Sequence, residues 1–158
     1  MYFLELIYKN DVDAVEKIIN SIDLAQVDSV GDNALHIAIL KKNVLIVDML
    51  LAKGVNVNHQ NKDGKVPLHY VAENNLLEVA KKLLRHGAKL DKEDKFGNQP
   101  LWVAVFSAAD GDSVKLPLVE LYLKHGADKK HKNNAGRSPL DFANQVKFAP
   151  LLEVLNKY

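Results

Sequence analysis

The chain of 158 residues contains no cysteine, which excludes both a disulfide framework and a thiolate zinc site. A cysteine-free composition is typical of reducing compartments, so we expect a cytoplasmic location. The sequence also lacks an apolar run long enough to span a bilayer, and its N-terminus lacks the basic segment and apolar stretch of a signal peptide. We therefore expect no association with a membrane.

An excess of charge of one sign is missing too. The 21 Lys and Arg residues face 20 Asp and Glu residues, a net charge of +1, which argues against a nucleic-acid partner. The basic run Lys129-Lys130-His131-Lys132 has no interleaved aromatic residues for base stacking, which favours a solvated turn. The charges are unevenly distributed, because residues 1–60 carry 5 basic and 8 acidic residues whereas residues 61–158 carry 16 and 12. This imbalance either steers a partner or is a chance feature of the surface.

What the sequence does contain is a repeat. Two residue types recur at intervals of 33 residues, namely Gly31, Gly64 and Gly97, and Leu35, Leu68 and Leu101. A fourth glycine, Gly136, follows Gly97 after 39 residues, so six residues are inserted between the third and fourth units. A period of this length predicts stacked units that share one elongated hydrophobic core.

Each unit has the pattern of two consecutive helices. Asn33 is a candidate N-cap for a helix over Ala34–Lys41, and a second helix is predicted over Val44–Ala52. In the next unit both members of the pair Leu83-Leu84 are predicted to be buried. Apolar residues at helical spacing also predict two short helices within residues 1–26.

The motifs Val66-Pro67-Leu68-His69, Leu83-Leu84 and Gly87-Ala88 resemble the signature of ankyrin repeats. The resemblance implies an all-α solenoid of helix-turn-helix units, joined by short β-hairpin connections and closed by helical caps at both ends. The stretch from Gly97 to Trp102, followed by an insertion, is similar to small standalone ankyrin proteins of bacteria.

We expect a single domain over residues 1–158. Its N-terminal helical cap is residues 1–27 and its C-terminal capping repeat is residues 133–158. The full repeats are the first unit (28–60), the second unit (61–93) and the third unit (94–132), which carries the six-residue insertion. The inserted loop, at residues 107–117, is either a binding element or a tolerated lengthening.

The signature differs from that of the family at one chemically important position. Its histidine is present as His36 and His69 but is replaced by Trp102 and Asp141 in the later units. The hydrogen bond that this imidazole makes between units in the family is therefore in doubt at those two places.

No catalytic motif accompanies the repeat. The sequence has no HExxH pair, phosphate-binding glycine loop or nucleophile elbow, and its six histidines occupy recurring positions that repeat structure explains. Asp110 and Asp112 resemble only a fragment of a calcium loop. We expect no enzyme activity, no cofactor and no metal.

The resemblance implies that partners are bound at a concave face formed by the hairpin fingers and the first helices. At this face Phe96 is either an anchor of the interface or a residue packed against its own unit. Trp102 is expected to pack between units. The candidate partner-binding residues are Val30, Asp32, Lys62, Asp63, Lys65, Glu73, Asn74, Lys95, Phe96, Asn98, Phe106 and Arg137.

These features predict a non-catalytic module that recognises another folded protein. Its narrowest form is an immunity-type inhibitor of a toxin, and we expect the chain to be monomeric on its own. The alternative is a scaffold or localisation subunit that associates with itself.

Overall fold

The computed structural model describes residues 2–158 as a row of helix pairs. Two or three residues separate the members of most pairs, so paired helices run antiparallel. The ten helices assigned in that range are α1 (Tyr2–Tyr8), α2 (Val12–Ile18), α3 (Ala34–Leu40), α4 (Val44–Ala52), α5 (Pro67–Glu73), α6 (Leu77–Arg85), α7 (Pro100–Ala108), α8 (Leu116–Lys124), α9 (Pro139–Val146) and α10 (Ala149–Lys157).

The helices form two layers. The odd-numbered helices contact one another in order from α1 to α9, and the even-numbered helices do the same from α2 to α10. The predicted all-helical solenoid is therefore confirmed. None of the helices within residues 2–158 has both the length and the apolar character needed to cross a membrane.

The starts of the first helices follow the predicted capping chemistry. The side chain of Asn33 accepts hydrogen bonds from the backbone N–H groups of Leu35 and His36, at 3.1 and 3.2 Å. Ser138 caps α9 in the same way, at 3.1 Å from the N–H of Asp141. Val66 offers no side-chain cap, and its own N–H donates to Nδ1 of His69 instead.

A continuous core runs between the layers. The repeated leucines Leu35, Leu68 and Leu101 are all fully buried. The pair Leu83-Leu84 is not equivalent, however, because Leu83 is fully buried whereas Leu84 is only partly buried. The prediction that Leu84 is buried to the same degree is wrong, since adjacent residues on a helix point in directions about 100° apart.

The connections that precede the first helices are four tight turns, which we call finger 1 (28–32), finger 2 (61–65), finger 3 (94–98) and finger 4 (133–137). Each begins with Asp or Asn, whose side-chain oxygen accepts from two N–H groups of the same finger. In finger 3, Oδ1 of Asp94 accepts from the N–H groups of Phe96 and Asn98, at 2.8 and 2.9 Å. No strand is assigned among the described residues, and an isolated antiparallel bridge joins Val27 to Asn33.

Backbone hydrogen bonds join the tips of successive fingers. They run from the N–H of Lys62 to the carbonyl of Val30 (3.0 Å), from Lys95 to Asp63 (2.7 Å), and from Asn134 to Phe96 (2.9 Å). We call these three bonds the finger ladder. The ladder brings fingers so close that a Cβ on Gly97 would lie 2.9 Å from the backbone nitrogen of Asn134.

The inserted segment lies between α7 and α8. It contains a 3₁₀ turn at Ser113–Lys115, and the ammonium of Lys115 pairs with the carboxylate of Asp110. Within α8, the hydroxyl of the fully buried Tyr122 donates to the carbonyl of Leu68 at 2.9 Å. The third unit is thus bonded to the second through the core as well as through the fingers.

Candidate functional site

Four aromatic side chains gather where finger 3 meets α7 and α9. Phe96 and Phe106 are 57% and 60% exposed, whereas Trp102 and Phe142 are partly buried. The ring of Phe142 stacks on Phe106 with centroids 5.4 Å apart, and it lies 5.5 Å from the ring of Trp102. This arrangement leaves two phenylalanine rings in solvent on a base of packed aromatic residues.

Phe96 and Phe106 line one groove of about 370 Å³. We call it the aromatic groove, and its lining residues are Lys65, Glu73, Asp94, Phe96, Asn98, Trp102, Val103, Phe106 and Ser107. Val103, Phe106 and Ser107 lie three and four residues apart on α7, so they share one face of that helix. The groove is therefore built from finger 3 and the exposed face of α7, with the second unit forming its other edge.

The third unit differs from its neighbours at the positions of Phe96 and Phe106. The residues equivalent to Phe106 are Leu40, Glu73 and Gln145, and those equivalent to Phe96 are Val30, Asp63 and Ala135. Only in this unit does the repeat place an aromatic residue at both positions. A partner that contacts the row of fingers would meet its largest exposed rings here.

The side chains of Asp94 and Asn98 in the groove are already hydrogen-bonded. The Asp94 carboxylate accepts from two backbone N–H groups and from the side chain of Asn98. The side-chain oxygen of Asn98 accepts a hydrogen bond from the side-chain amide of Asn133 at 2.8 Å. The backbone carbonyl of Asn98 accepts from Nε2 of His69 at 2.9 Å. What the groove offers to a partner is thus mainly apolar and aromatic surface.

Ion pairs lie around the groove. Lys65 and Glu73 are 2.5 Å apart on its edge, and Lys95 pairs with Asp63 at 3.0 Å while its ammonium lies 5.2 Å from the centre of the Phe96 ring. The cation above Phe96 contacts the electron-rich face of that ring, which favours an exposed orientation for both side chains.

One predicted partner-binding residue is placed wrongly by the sequence analysis. Asp32 is 3% exposed, and its carboxylate accepts from the hydroxyl of Tyr70 and from the side chain of Asn61, both at 2.7 Å. Burial and the hydrogen bond to this carboxylate both raise the pKa of Tyr70. Asp32 therefore joins finger 1 to the second unit and is not accessible to a partner.

The structure divides the other predicted residues into two groups. Those that line the aromatic groove are Lys65, Glu73, Phe96, Asn98 and Phe106, with Asp63 and Lys95 paired beside it. Those that lie outside it are Val30, Lys62, Asn74 and Arg137; three of these four are exposed, and the side chain of Asn74 donates to the carbonyl of Tyr70.

Several residues of the site are absent from the predicted partner-binding set, namely Asp94, Trp102, Val103, Ser107 and Phe142. Val103 forms part of the groove and Phe142 supports Phe106, yet neither is among the predicted residues. Both occupy the repeat position of Tyr70, and Phe142 follows Val103 by the same 39 residues that separate Gly136 from Gly97. Alignment of the units along the whole first helix would have found them.

The six histidines all bond to backbone carbonyls. The carbonyl partners are those of Lys65 for His36, Gly31 for His59, Asn98 for His69, Lys82 for His86, Leu121 for His125 and Gly97 for His131. Burial lowers the pKa of His36 to about 4 and also lowers the pKa of His69. Over residues 2–158, no three His, Asp or Glu side chains are grouped so as to hold a metal ion.

A second cleft, of about 590 Å³, lies where the ends of α6 and α8 meet the segments that follow them. Short residues such as Ala88, Gly126 and Ala127 contribute to its walls. It contains no aromatic side chain other than the His125 ring. The aromatic groove is therefore the stronger candidate although it is the smaller of the two.

Comparisons with known proteins agree with the architecture. A family model described as ankyrin repeats (3 copies) matches residues 3–94 and, in a second register, residues 42–133. The chain is 40% identical over 80 residues to an ankyrin repeat protein of fowlpox virus (strain NVSL), a match that covers 48% of this chain and 24% of the viral protein.

Two mouse proteins are also similar. The B-cell lymphoma 3 protein homolog of Mus musculus is 32% identical over 133 residues, or 84% of this chain and 28% of that protein. The RelA-associated inhibitor of Mus musculus is 35% identical over 88 residues, or 55% of this chain and 11% of that protein. The matched regions are thus about a quarter or less of the length of these relatives.

Proposed function

Because the chain belongs to the ankyrin-repeat family, whose repeats are protein-interaction modules, we propose that it binds a folded protein through the aromatic groove and the fingers beside it. The observation that carries this proposal is the pair Phe96 and Phe106, both more than half exposed and both lining one groove. Large exposed aromatic residues on a fixed support are the commonest anchors of protein interfaces.

The surroundings of the two rings favour binding by a preformed surface. Phe106 is held against Phe142, and the backbone of Phe96 is held by the finger ladder and by Asp94. Little conformational entropy is then lost when a partner covers these side chains, so more of the contact energy contributes to affinity.

A capture experiment with matched variants tests this proposal. The double variant Phe96→Ala/Phe106→Ala removes both rings from the groove, and Leu45→Ala removes a comparably exposed apolar side chain (62%) from α4. Each tagged protein is used to capture partners from cells of the source organism, and captured proteins are identified by mass spectrometry.

We expect a partner that the wild type and Leu45→Ala retain equally and that the double variant loses. Unchanged melting curves of all three proteins would show that the loss is not due to unfolding. Equal recovery of the partner by the double variant would contradict the assignment of the groove, and recovery of chaperones alone would contradict the proposed function.

We propose that binding inhibits the partner protein. The narrowest case is neutralisation of a toxin. The name of one relative, RelA-associated inhibitor, describes inhibition by association, which supports this form without identifying a partner for this chain. The activity of the captured partner should fall in proportion to added protein until the two are equimolar. A partner that stays fully active in the complex would favour scaffolding or localisation.

Self-association is the second candidate function, and the opposite charges of residues 1–60 (net −3) and 61–158 (net +4) favour it. We propose a monomer nevertheless, because the last helix pair exposes mainly polar residues such as Asn144, Gln145 and Lys147. Light scattering over a range of concentrations separates the two, since a mass that rises with concentration would indicate a scaffold.

We retain the cytoplasm as the proposed compartment, to be checked by cell fractionation.

A further inference from the structure

The positive charge on the fingers is not fully neutralised around the aromatic groove. Fingers 2 to 4 expose or partly expose the cations Lys62, Lys65, Lys95 and Arg137. Two of these have carboxylate partners, since Lys65 pairs with Glu73 and Lys95 pairs with Asp63. No ion pair within residues 2–158 includes the other two.

These two cations lie on either side of finger 3. The ammonium of Lys62, on finger 2, donates to the carbonyl of Ser29 at 2.8 Å, and the guanidinium of Arg137 is exposed on finger 4. Because the finger ladder joins fingers 2, 3 and 4 in order, Phe96 lies between them in the row. Two cations without a carboxylate partner thus belong to the fingers before and after finger 3, outside the lining of the aromatic groove, and the ammonium of Lys62 is held against finger 1.

On the basis of the proposed function, we propose that the partner presents to this groove an acidic segment with a large apolar side chain between its carboxylates. The apolar side chain enters between Phe96 and Phe106, where the side chains of Asp94 and Asn98 are already hydrogen-bonded. Carboxylates before and after it meet Lys62 and Arg137. A basic segment would instead place like charges together, which disfavours it.

The groove has room for such a side chain but not for a large rigid ligand. Its volume of about 370 Å³ is near the lower end of small-molecule pockets. Trp102 and Val103 are among its lining residues. Because Trp102 is the only tryptophan of the chain, its fluorescence reports directly on occupation of the groove.

Selection from a random peptide library displayed on phage tests the chemistry of the segment without knowledge of the partner. The library is selected on the wild type and, in parallel, on Phe96→Ala/Phe106→Ala. We expect the peptides enriched only on the wild type to be acidic and to contain a central leucine, phenylalanine or tryptophan. Enrichment of neutral or basic peptides, or no enrichment that depends on the two phenylalanines, would overturn the proposal.

Binding of the best enriched peptide is then measured by Trp102 fluorescence. The double charge reversal Lys62→Glu/Arg137→Glu should weaken its affinity about tenfold at low ionic strength, because each exposed ion pair contributes up to roughly fivefold. The control Lys17→Glu/Lys53→Glu makes the same change of net charge with exposed lysines of α2 and of the end of α4, and should leave the affinity within about twofold.

Equal weakening by the two double reversals would mean that net charge alone attracts the peptide, and would overturn the assignment to Lys62 and Arg137. A wild-type dimer that dissociates in the Phe96→Ala/Phe106→Ala variant would show that a second copy of the chain occupies the groove, which also overturns the proposal. Equal weakening does not decide whether the chain captures a folded partner from cells, so this proposal can fail while the proposed function holds, whereas the dimer would favour the self-associating scaffold.

Discussion

Replacement of Gly97 by alanine tests how closely the fingers are packed. Gly97 has a backbone φ of 75°, and an added Cβ would lie 2.9 Å from the backbone nitrogen of Asn134 and 2.6 Å from its side-chain oxygen. Gly136 has nearly the same φ, 71°, but apart from its chain neighbours no atom lies within 4 Å of an added Cβ, because no further finger follows finger 4 within residues 2–158. The two glycines therefore share the backbone requirement and differ only in the contact.

The difference between the two substitutions isolates that contact. Alanine at positive φ costs about 1–2 kcal/mol, partly offset by about 0.4–1 kcal/mol from the lower entropy of the unfolded chain. We expect Gly136→Ala to destabilise by about 1 kcal/mol. Gly97→Ala adds a steric cost of about 1–3 kcal/mol, which gives about 2–4 kcal/mol in total.

Urea denaturation followed by far-UV circular dichroism measures both values. In thermal unfolding the midpoint should fall by about 2–4 °C for Gly136→Ala and by about 4–12 °C for Gly97→Ala. The additional substitution Asn134→Ala should restore part of the stability that Gly97→Ala loses, but none of the stability that Gly136→Ala loses. Equal destabilisation by the two glycine substitutions would refute the close approach of fingers 3 and 4.

Three further predictions concern the core and the buried histidines. Leu83→Ala should destabilise by about 2–5 kcal/mol whereas Leu84→Ala should cost clearly less, because only Leu83 is fully buried; equal urea midpoints would contradict this difference. Tyr122→Phe should cost about 1 kcal/mol through loss of its buried hydrogen bond between units, and an unchanged melting temperature would argue against that bond. The lowered pKa values of His36 and His69 mean that the unfolded chain takes up protons first as the pH falls below about 6.5, so stability should be full above that pH and decline towards about pH 4. For His36 alone the loss amounts to about 2 kcal/mol at about pH 5, and urea midpoints that do not change between about pH 7 and pH 5 would contradict it.

Much of the fold could be predicted because the repeat encodes it three times. A glycine and a leucine in constant register fix the positions of turn and core, and a cap such as Asn33 marks the start of a helix. The repeat does not predict which of the adjacent residues Leu83 and Leu84 is the more deeply buried. That depends on the rotation of α6 against its neighbours, which the period does not specify.

The candidate site was only partly predictable. Exposure of Phe96 and Phe106 follows from their repeat positions, but the burial of Asp32 depends on a hydroxyl that Tyr70 supplies from the next unit. The residue at the same repeat position one unit later is Lys65, which pairs with Glu73 at the edge of the groove. Contacts between non-repeating side chains of different units leave no periodic signal, so they appear only in the structure.

The finger ladder has a consequence for how this surface can change over evolution. Its three bonds join main-chain atoms only, so these bonds do not depend on which side chains the finger tips carry. We therefore expect substitutions at Val30, Asp63 or Phe96 to change the proposed binding surface while the finger ladder is kept. Side-chain bonds between units, such as those of Asp32 with Tyr70 and of Asn98 with Asn133, restrict diversification at other positions of the fingers.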